Sequence, residues 1–138
     1  MSTNLNPYLN FRSDAKDALA FYASVLGGEL VTSTFGEGGM SQSPEDADLI
    51  MHGQITTESG LVLMAADTPA YMEWSPGSNI SVSISGDDLA ELTGYWDKLS
   101  DGATITAPLA AAPWGDTFGM LVDKFGVSWL VNASAPTA

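Results

Sequence analysis

The chain has 138 residues, is 45% hydrophobic and carries no cysteine, which suits one compact domain or two half-size modules sharing a core. The missing cysteine excludes disulfides, zinc-thiolate sites, iron-sulfur clusters and thiol nucleophiles. Seventeen acidic residues stand against four basic ones, Arg12, Lys16, Lys98 and Lys124, for a formal net charge of -13, so neither nucleic acid nor an anionic membrane is an expected partner.

The N-terminal residues have no basic and apolar signal pattern, and no apolar run is long enough to cross a bilayer, so a soluble cytoplasmic protein is expected. Tyr8 to Phe11 reads as a short strand. A helix follows in which Ala18, Phe21, Tyr22, Val25 and Leu26 recur at helical spacing, with Ser13 or Asp14 offering the N-cap and Gly27-Gly28 the stop. Strand-like runs come next at Glu29 to Thr34, Ile50 to Thr57 and Leu61 to Ala65. Between the first two of these lies a polar, glycine-rich stretch from Gly36 to Asp48. Its glycines miss the dinucleotide fingerprint, and Asp46 and Asp48, lacking a full calcium-ligand array, read as solvated charge.

The order then repeats. Ile80 to Ile84 reads as a strand, and Asp88 and Glu91 have capping-box spacing before a stripe of Leu89, Leu92, Trp96 and Leu99 closed by Gly102. Three strand-like runs follow at Ala103 to Thr106, Phe118 to Val122 and Ser128 to Asn132, the last two joined tightly at Lys124-Phe125-Gly126. The expected fold is therefore α+β, two tandem βαβββ modules over residues 5–67 and 79–133, with a linker at 68–78. Sequence identity between the halves is slight, so the repeat is one of pattern.

Several stretches carry a family resemblance: Tyr8-Leu9-Asn10-Phe11, the helix Ala18 to Gly28, Ile50-Met51-His52, Leu63-Met64, and the closing Trp114-Gly115, Phe118-Gly119-Met120, Asp123 to Gly126 and Trp129. Together they resemble the PhnB-like proteins of the vicinal-oxygen-chelate superfamily, which also holds glyoxalase I, extradiol dioxygenases and bleomycin-resistance proteins. The resemblance implies sheets that curl around a shared cavity, usually in a homodimer. It also implies a divalent metal held by His, Gln or Glu side chains, two from each module, on the first and fourth strands. Laid on this sequence, those positions fall on Tyr8, Met64, Asn79 and Leu130, none of them a usual first-row metal ligand. With one histidine in the chain, register shifts do not restore a His-rich site. Some relatives are labelled DNA-binding 3-demethylubiquinone methyltransferases, but no basic face or nucleotide-holding glycine loop here supports that label.

Strand alternation places Tyr8 and Asn10 on one face with Leu9 and Phe11 turned toward the helix, and sets His52, Gln54 and Thr56 on a common face. Asn79, Ser81 and Ser83 share a face in the second module by the same logic. Histidine titrates near neutrality, so His52 is the one candidate general acid or base, although a lone histidine at a strand start is also a common structural residue. Trp74 and Trp114, in loops, are expected at a pocket mouth or a dimer seam, and Phe118 to line the cavity. The expected ligand-contacting set is thus Tyr8, Asn10, His52, Gln54, Met64, Asn79, Ser81, Trp114, Phe118 and Leu130. The first functional expectation is a protein that binds a small organic molecule in a metal-free cavity. The alternatives are a metal-dependent lyase, isomerase or dioxygenase using an unusual carboxylate-based site, and a structural homodimer with a vestigial cavity.

Overall fold

A computed structural model describes residues 3–77 and 79–135. The chain forms two compact units, Met1–Pro76 and Gly77–Ala138. Ser78, the last residue of the expected linker, lies outside the described residues.

Unit 1 contains β1 (Tyr8–Phe11), α1 (Ala15–Leu26), β2 (Glu29–Thr34), β3 (Ile50–Thr56) and β4 (Val62–Asp67). Its sheet has the order β1-β4-β3-β2, with β1 parallel to β4 and the other pairs antiparallel. Helix α1 covers one face, burying Ala15, Ala18, Leu19, Tyr22 and Val25 against Phe11, Ile55, Leu63 and Ala65, all under 5% exposed. Each fully buried large apolar side chain in such a layer contributes roughly 1.5–3 kcal/mol.

The start of α1 corrects one expectation. Asp14 occupies the N-cap position but makes no side-chain cap. The bond comes instead from the far end of the unit: Asp67 Oδ1 accepts the Ala15 N–H at 2.9 Å while its Oδ2 accepts the Ile50 N–H at 2.9 Å. Capping rules look at neighbours in sequence, and here the acceptor is brought in by the parallel β1–β4 pairing, which sets Phe11 beside Asp67.

Unit 2 repeats the arrangement with β5 (Val82–Gly86), α2 (Leu89–Leu99), β6 (Thr104–Ala111), β7 (Thr117–Val122) and β8 (Ser128–Ala133), in sheet order β5-β8-β7-β6. Leu92, Trp96 and Leu99 of α2 pack on Leu121, Trp129 and Val131. Here the capping expectation holds, since Asp88 Oδ1 accepts the Glu91 N–H at 3.1 Å. The Glu91 carboxylate, however, accepts the Tyr95 hydroxyl at 2.6 Å, and this bond pushes the phenol up to about 12. Both units place a glycine beneath their helix: a Cβ at Gly53 would run into Leu19, and one at Gly119 would lie 2.8 Å from the Trp96 ring.

Two strand boundaries differ from expectation for clear reasons. Strand β6 runs on through Pro108 to Ala111, because it is the edge strand of its sheet and Pro108 falls where the β6–β7 register shifts between Ala107 and Ala110, a place where a missing N–H is tolerated. Strand β5 begins at Val82 rather than Ile80, leaving Ile80 80% exposed. Alternation alone does not tell a strand from an extended approach to one.

Candidate functional site

The helix-free face of the unit 1 sheet gathers the polar strand residues into rows. One row runs Val31, Gln54, Met64, Tyr8 across the four strands. The next holds Ser33 and His52, with Ala66 and Asn10 paired beside them. The small Ala66 side chain leaves room above it, and the Tyr8 hydroxyl reaches across β4 to lie 3.2 Å from His52 Nδ1. The two rings form a corner, their centroids 5.7 Å apart and their planes at 48°. If Nδ1 accepts the phenol O–H, Nε2 carries the ring proton and is a donor; the other tautomer makes Nε2 an acceptor. Gln54 donates from Nε2 to Thr56 Oγ1 at 3.2 Å, which turns its carbonyl oxygen into the available acceptor. Tyr8 remains 43% exposed. This face carries Tyr8, Asn10, His52 and Gln54, the pairs that alternation set on common faces, together with Met64.

Unit 2 offers a different surface in the same register. Its rows are Ala107, Met120, Leu130, Ser83 and Ala110, Phe118, Asn132, Ser85. The late start of β5 corrects the alignment that placed Asn79 opposite Tyr8. Asn79 and Ser81 both precede the strand, and the residue paired with Leu130, as Tyr8 is paired with Met64, is Ser83. His52 thus corresponds to Phe118, and Gln54 to Met120. Ser83 was visible in the alternation of its own strand, whereas Asn132 and Met120 needed the pairings, since neither carries a local signal of function.

The superfamily metal can be tested against these positions. Within their units they carry a phenol and a thioether in Tyr8 and Met64, and a hydroxyl and an aliphatic chain in Ser83 and Leu130. That donor set does not fit a divalent first-row metal, which takes imidazole, carboxylate or thiolate. Among the described residues there is no group of three or more His, Asp or Glu side chains placed to hold a metal ion.

Three more carboxylates, of which Asp46 and Asp123 are buried, are committed to neighbouring N–H and O–H donors. Asp46 corrects the reading of its loop as solvated charge: it is 4% exposed, and it accepts the Ser41 hydroxyl at 2.6 Å and the N–H groups of Gln42 and Ser43. These bonds, that from Ser41 foremost, hold its pKa below the ordinary value. Asp116 is held below its ordinary value by the Ala135 N–H at 2.8 Å and then by the Asn132 amide at 3.1 Å. Asp123 accepts the N–H groups of Phe125 and Val127 and the Trp129 indole, fixing the β7–β8 turn.

The loop tryptophans each touch a residue of the sheet rows. Trp74 donates its indole N–H to the Asn10 carbonyl at 2.9 Å, and the Arg12 guanidinium sits 5.8 Å from its ring centroid. Arg12 Nη1 donates to the carbonyls of Thr68, Pro69 and Met72, which shapes the chain leaving β4. Trp114, 62% exposed, meets Phe118 edge to face at 5.6 Å. Three shallow depressions of unit 1 lie elsewhere: beside Gly28 and Thr57, beside Arg12 and Trp74, and beside Asp46 and Tyr71. Of the residues anticipated from the sequence, Trp74 lines the second of these three.

Comparison with known proteins places this geometry. The family described as 3-demethylubiquinone-9 3-methyltransferase matches residues 3–132. The protein PA1353 from Pseudomonas aeruginosa is 33% identical, with 98% of this chain and all of that one covered and a TM-score of 0.84. The PhnB protein from Bacillus cereus is 25% identical over 96% of this chain and all of its own, with a TM-score of 0.76. A member of the glyoxalase/bleomycin resistance protein/dioxygenase superfamily from Sphaerobacter thermophilus, 20% identical over 96% of this chain and 98% of its own at a TM-score of 0.57, shares the fold.

Proposed function

The chain belongs to the PhnB-like 3-demethylubiquinone-9 3-methyltransferase family, and from the side chains on its sheets we propose that it binds a small, partly apolar organic molecule without a metal. The observation that carries this reading is the helix-free face of unit 1. Tyr8, His52 and Gln54 present directed hydrogen-bonding groups there around the Met64 thioether, on a surface that α1 leaves uncovered. A few placed polar groups on an apolar ground suit recognition of a small organic ligand. The helix-free face of unit 2, taken by itself, is the more apolar of the two, with Phe118, Met120 and Leu130.

The methyltransferase activity in the family's description is not part of this proposal, because no glycine-rich strand-to-helix loop is present in the sequence to seat a nucleotide-like methyl donor. Metal-dependent chemistry is set aside on the donor set at Tyr8, Met64, Ser83 and Leu130. A homodimer belongs to the proposal as well, supported by the exposed Tyr71, Met72 and Trp74 near the end of unit 1, and native mass spectrometry checks it.

The test pairs metal analysis of protein purified without chelator with a ligand screen by NMR, on the wild type and on His52→Ala. The expected result is substoichiometric metal in both proteins, with organic hits whose affinity falls in the variant. Stoichiometric metal lost on substitution would overturn the proposal in favour of a metalloenzyme, and a screen without hits would leave a structural protein.

A further inference from the structure

The placement of the four cationic side chains narrows the chemistry of the ligand, given the binding reading above. With 17 acidic residues against these four, the chain carries a net charge of -13. Arg12 is committed to the carbonyls of Thr68, Pro69 and Met72 and to the Trp74 ring. Lys124 pairs with Asp101 at 3.5 Å and lies 5.8 Å from the Phe125 ring centroid. Lys16 and Lys98 belong to α1 and α2, the helices on the opposite sides of the two sheets. No Lys or Arg is among the strand residues of either sheet; Arg12 follows the end of β1 and is held by the contacts just given.

An anionic ligand would therefore meet no counter-charge on these faces and would approach through a negative field. A cation meets the reverse. On unit 1 the Tyr8 and His52 rings make an aromatic corner beside the Met64 thioether, and the Gln54 carbonyl oxygen is turned out by the bond to Thr56. The one residue of that face with a full charge is Glu29, at the β2 edge in the row of Thr56. Aromatic faces attract cations through the ring quadrupole, by about 0.5–2 kcal/mol according to desolvation.

The geometry points to a small organic cation, an alkylated or quaternary ammonium compound with an apolar body, as the ligand of the unit 1 face. The ammonium rests against Tyr8, the apolar body lies over Met64 and Val31, and the charge of the whole chain draws the ligand in. Attraction of this kind weakens with ionic strength, whereas apolar contact does not.

Three probes of matched shape separate charge from shape: choline, the neutral 3,3-dimethylbutan-1-ol and the anionic 3,3-dimethylbutanoate. The chain holds one histidine, so a single imidazole proton signal reports directly on the proposed face. Choline is expected to move that signal with an affinity about two- to thirtyfold above that of the alcohol. The butanoate is expected to leave it in place. Raising salt from about 0.05 to about 0.5 M is expected to weaken choline severalfold. Tyr8→Leu is expected to lower choline affinity at least about fivefold with an unchanged melting temperature. Equal or tighter binding of the alcohol or the butanoate, or no response to choline at millimolar concentration, overturns this assignment. Hits among neutral compounds in the broader screen would then leave the binding function standing, and only a screen without any hit removes both.

Discussion

The two units share a backbone plan and differ in where they keep their polar chemistry. Each has four strands in the same order, one covering helix, and a glycine under that helix, Gly53 beneath Leu19 and Gly119 beneath Trp96. Yet the face of unit 1 carries Tyr8, Gln54 and His52 where unit 2 carries Ser83, Met120 and Phe118. The supports are exchanged as well. Asp67 caps α1 from the end of β4, whereas its counterpart on β8 is Ala133, and α2 relies on its own Asp88. In the hairpin turns, the Thr57 hydroxyl accepts the Leu61 N–H in unit 1, and Asp123 does the corresponding work in unit 2 while also taking the Trp129 indole. The lesson is that the backbone arrangement is preserved while the residues that satisfy it are free to move, which leaves one face open to specialise.

The sharpest break of this comparison is Asp67→Ala. It strands two buried N–H groups, those of Ala15 and Ile50, so it is expected to destabilise by about 2–4 kcal/mol in denaturant unfolding. A loss under about 0.5 kcal/mol would show that α1 finds another cap. The turns come next. Asp123→Ala removes three acceptor bonds around a buried tryptophan and is expected to cost about 2–3 kcal/mol, against under about 1 kcal/mol for Thr57→Ala at the matching turn. Equal costs would mean that the indole bond adds nothing.

The smallest effect is a pH dependence. Folding lowers the pKa of Asp116 through the Ala135 N–H and the Asn132 amide, so its contribution is fully present above the ordinary aspartate value of 3.8 and is lost as pH falls through the depressed folded value. Unit 2 is therefore expected to lose stability in that acid window, and Asp116→Asn to flatten the loss. Asp46, lowered chiefly by Ser41, predicts the same sign in unit 1, with Asp46→Asn as its control. A steeper acid loss in either variant would contradict the assignment.

Much of the fold was legible because amphipathic spacing and turn glycines are local. The stripes of α1 and α2, the strand faces of Tyr8 and His52, and the Asp88 cap all follow from residues within a turn or two of each other. What escaped depends on pairing across the sheet. Asp67 fell beyond the expected strand Leu61 to Ala65, at the end of the first module, and only the β1–β4 register delivers it to Ala15. Asp46 looked like one acid among several in a polar loop until Ser41, Gln42 and Ser43 folded back on it. The site residues divide in the same way. His52 and Gln54 were readable from alternation within β3, but Asn79 was misplaced because the start of β5 is fixed by its partner β8.

The most direct test of the binding reading is the proton spectrum of the single imidazole, recorded with equimolar Co²⁺ and separately with an organic ligand found by screening. The result expected here is a signal unmoved by the metal and shifted saturably by the ligand, with saturation moved to higher ligand concentration in Tyr8→Leu. A stoichiometric paramagnetic displacement of the His52 signal by Co²⁺ would contradict the account and return the chain to metal-dependent chemistry.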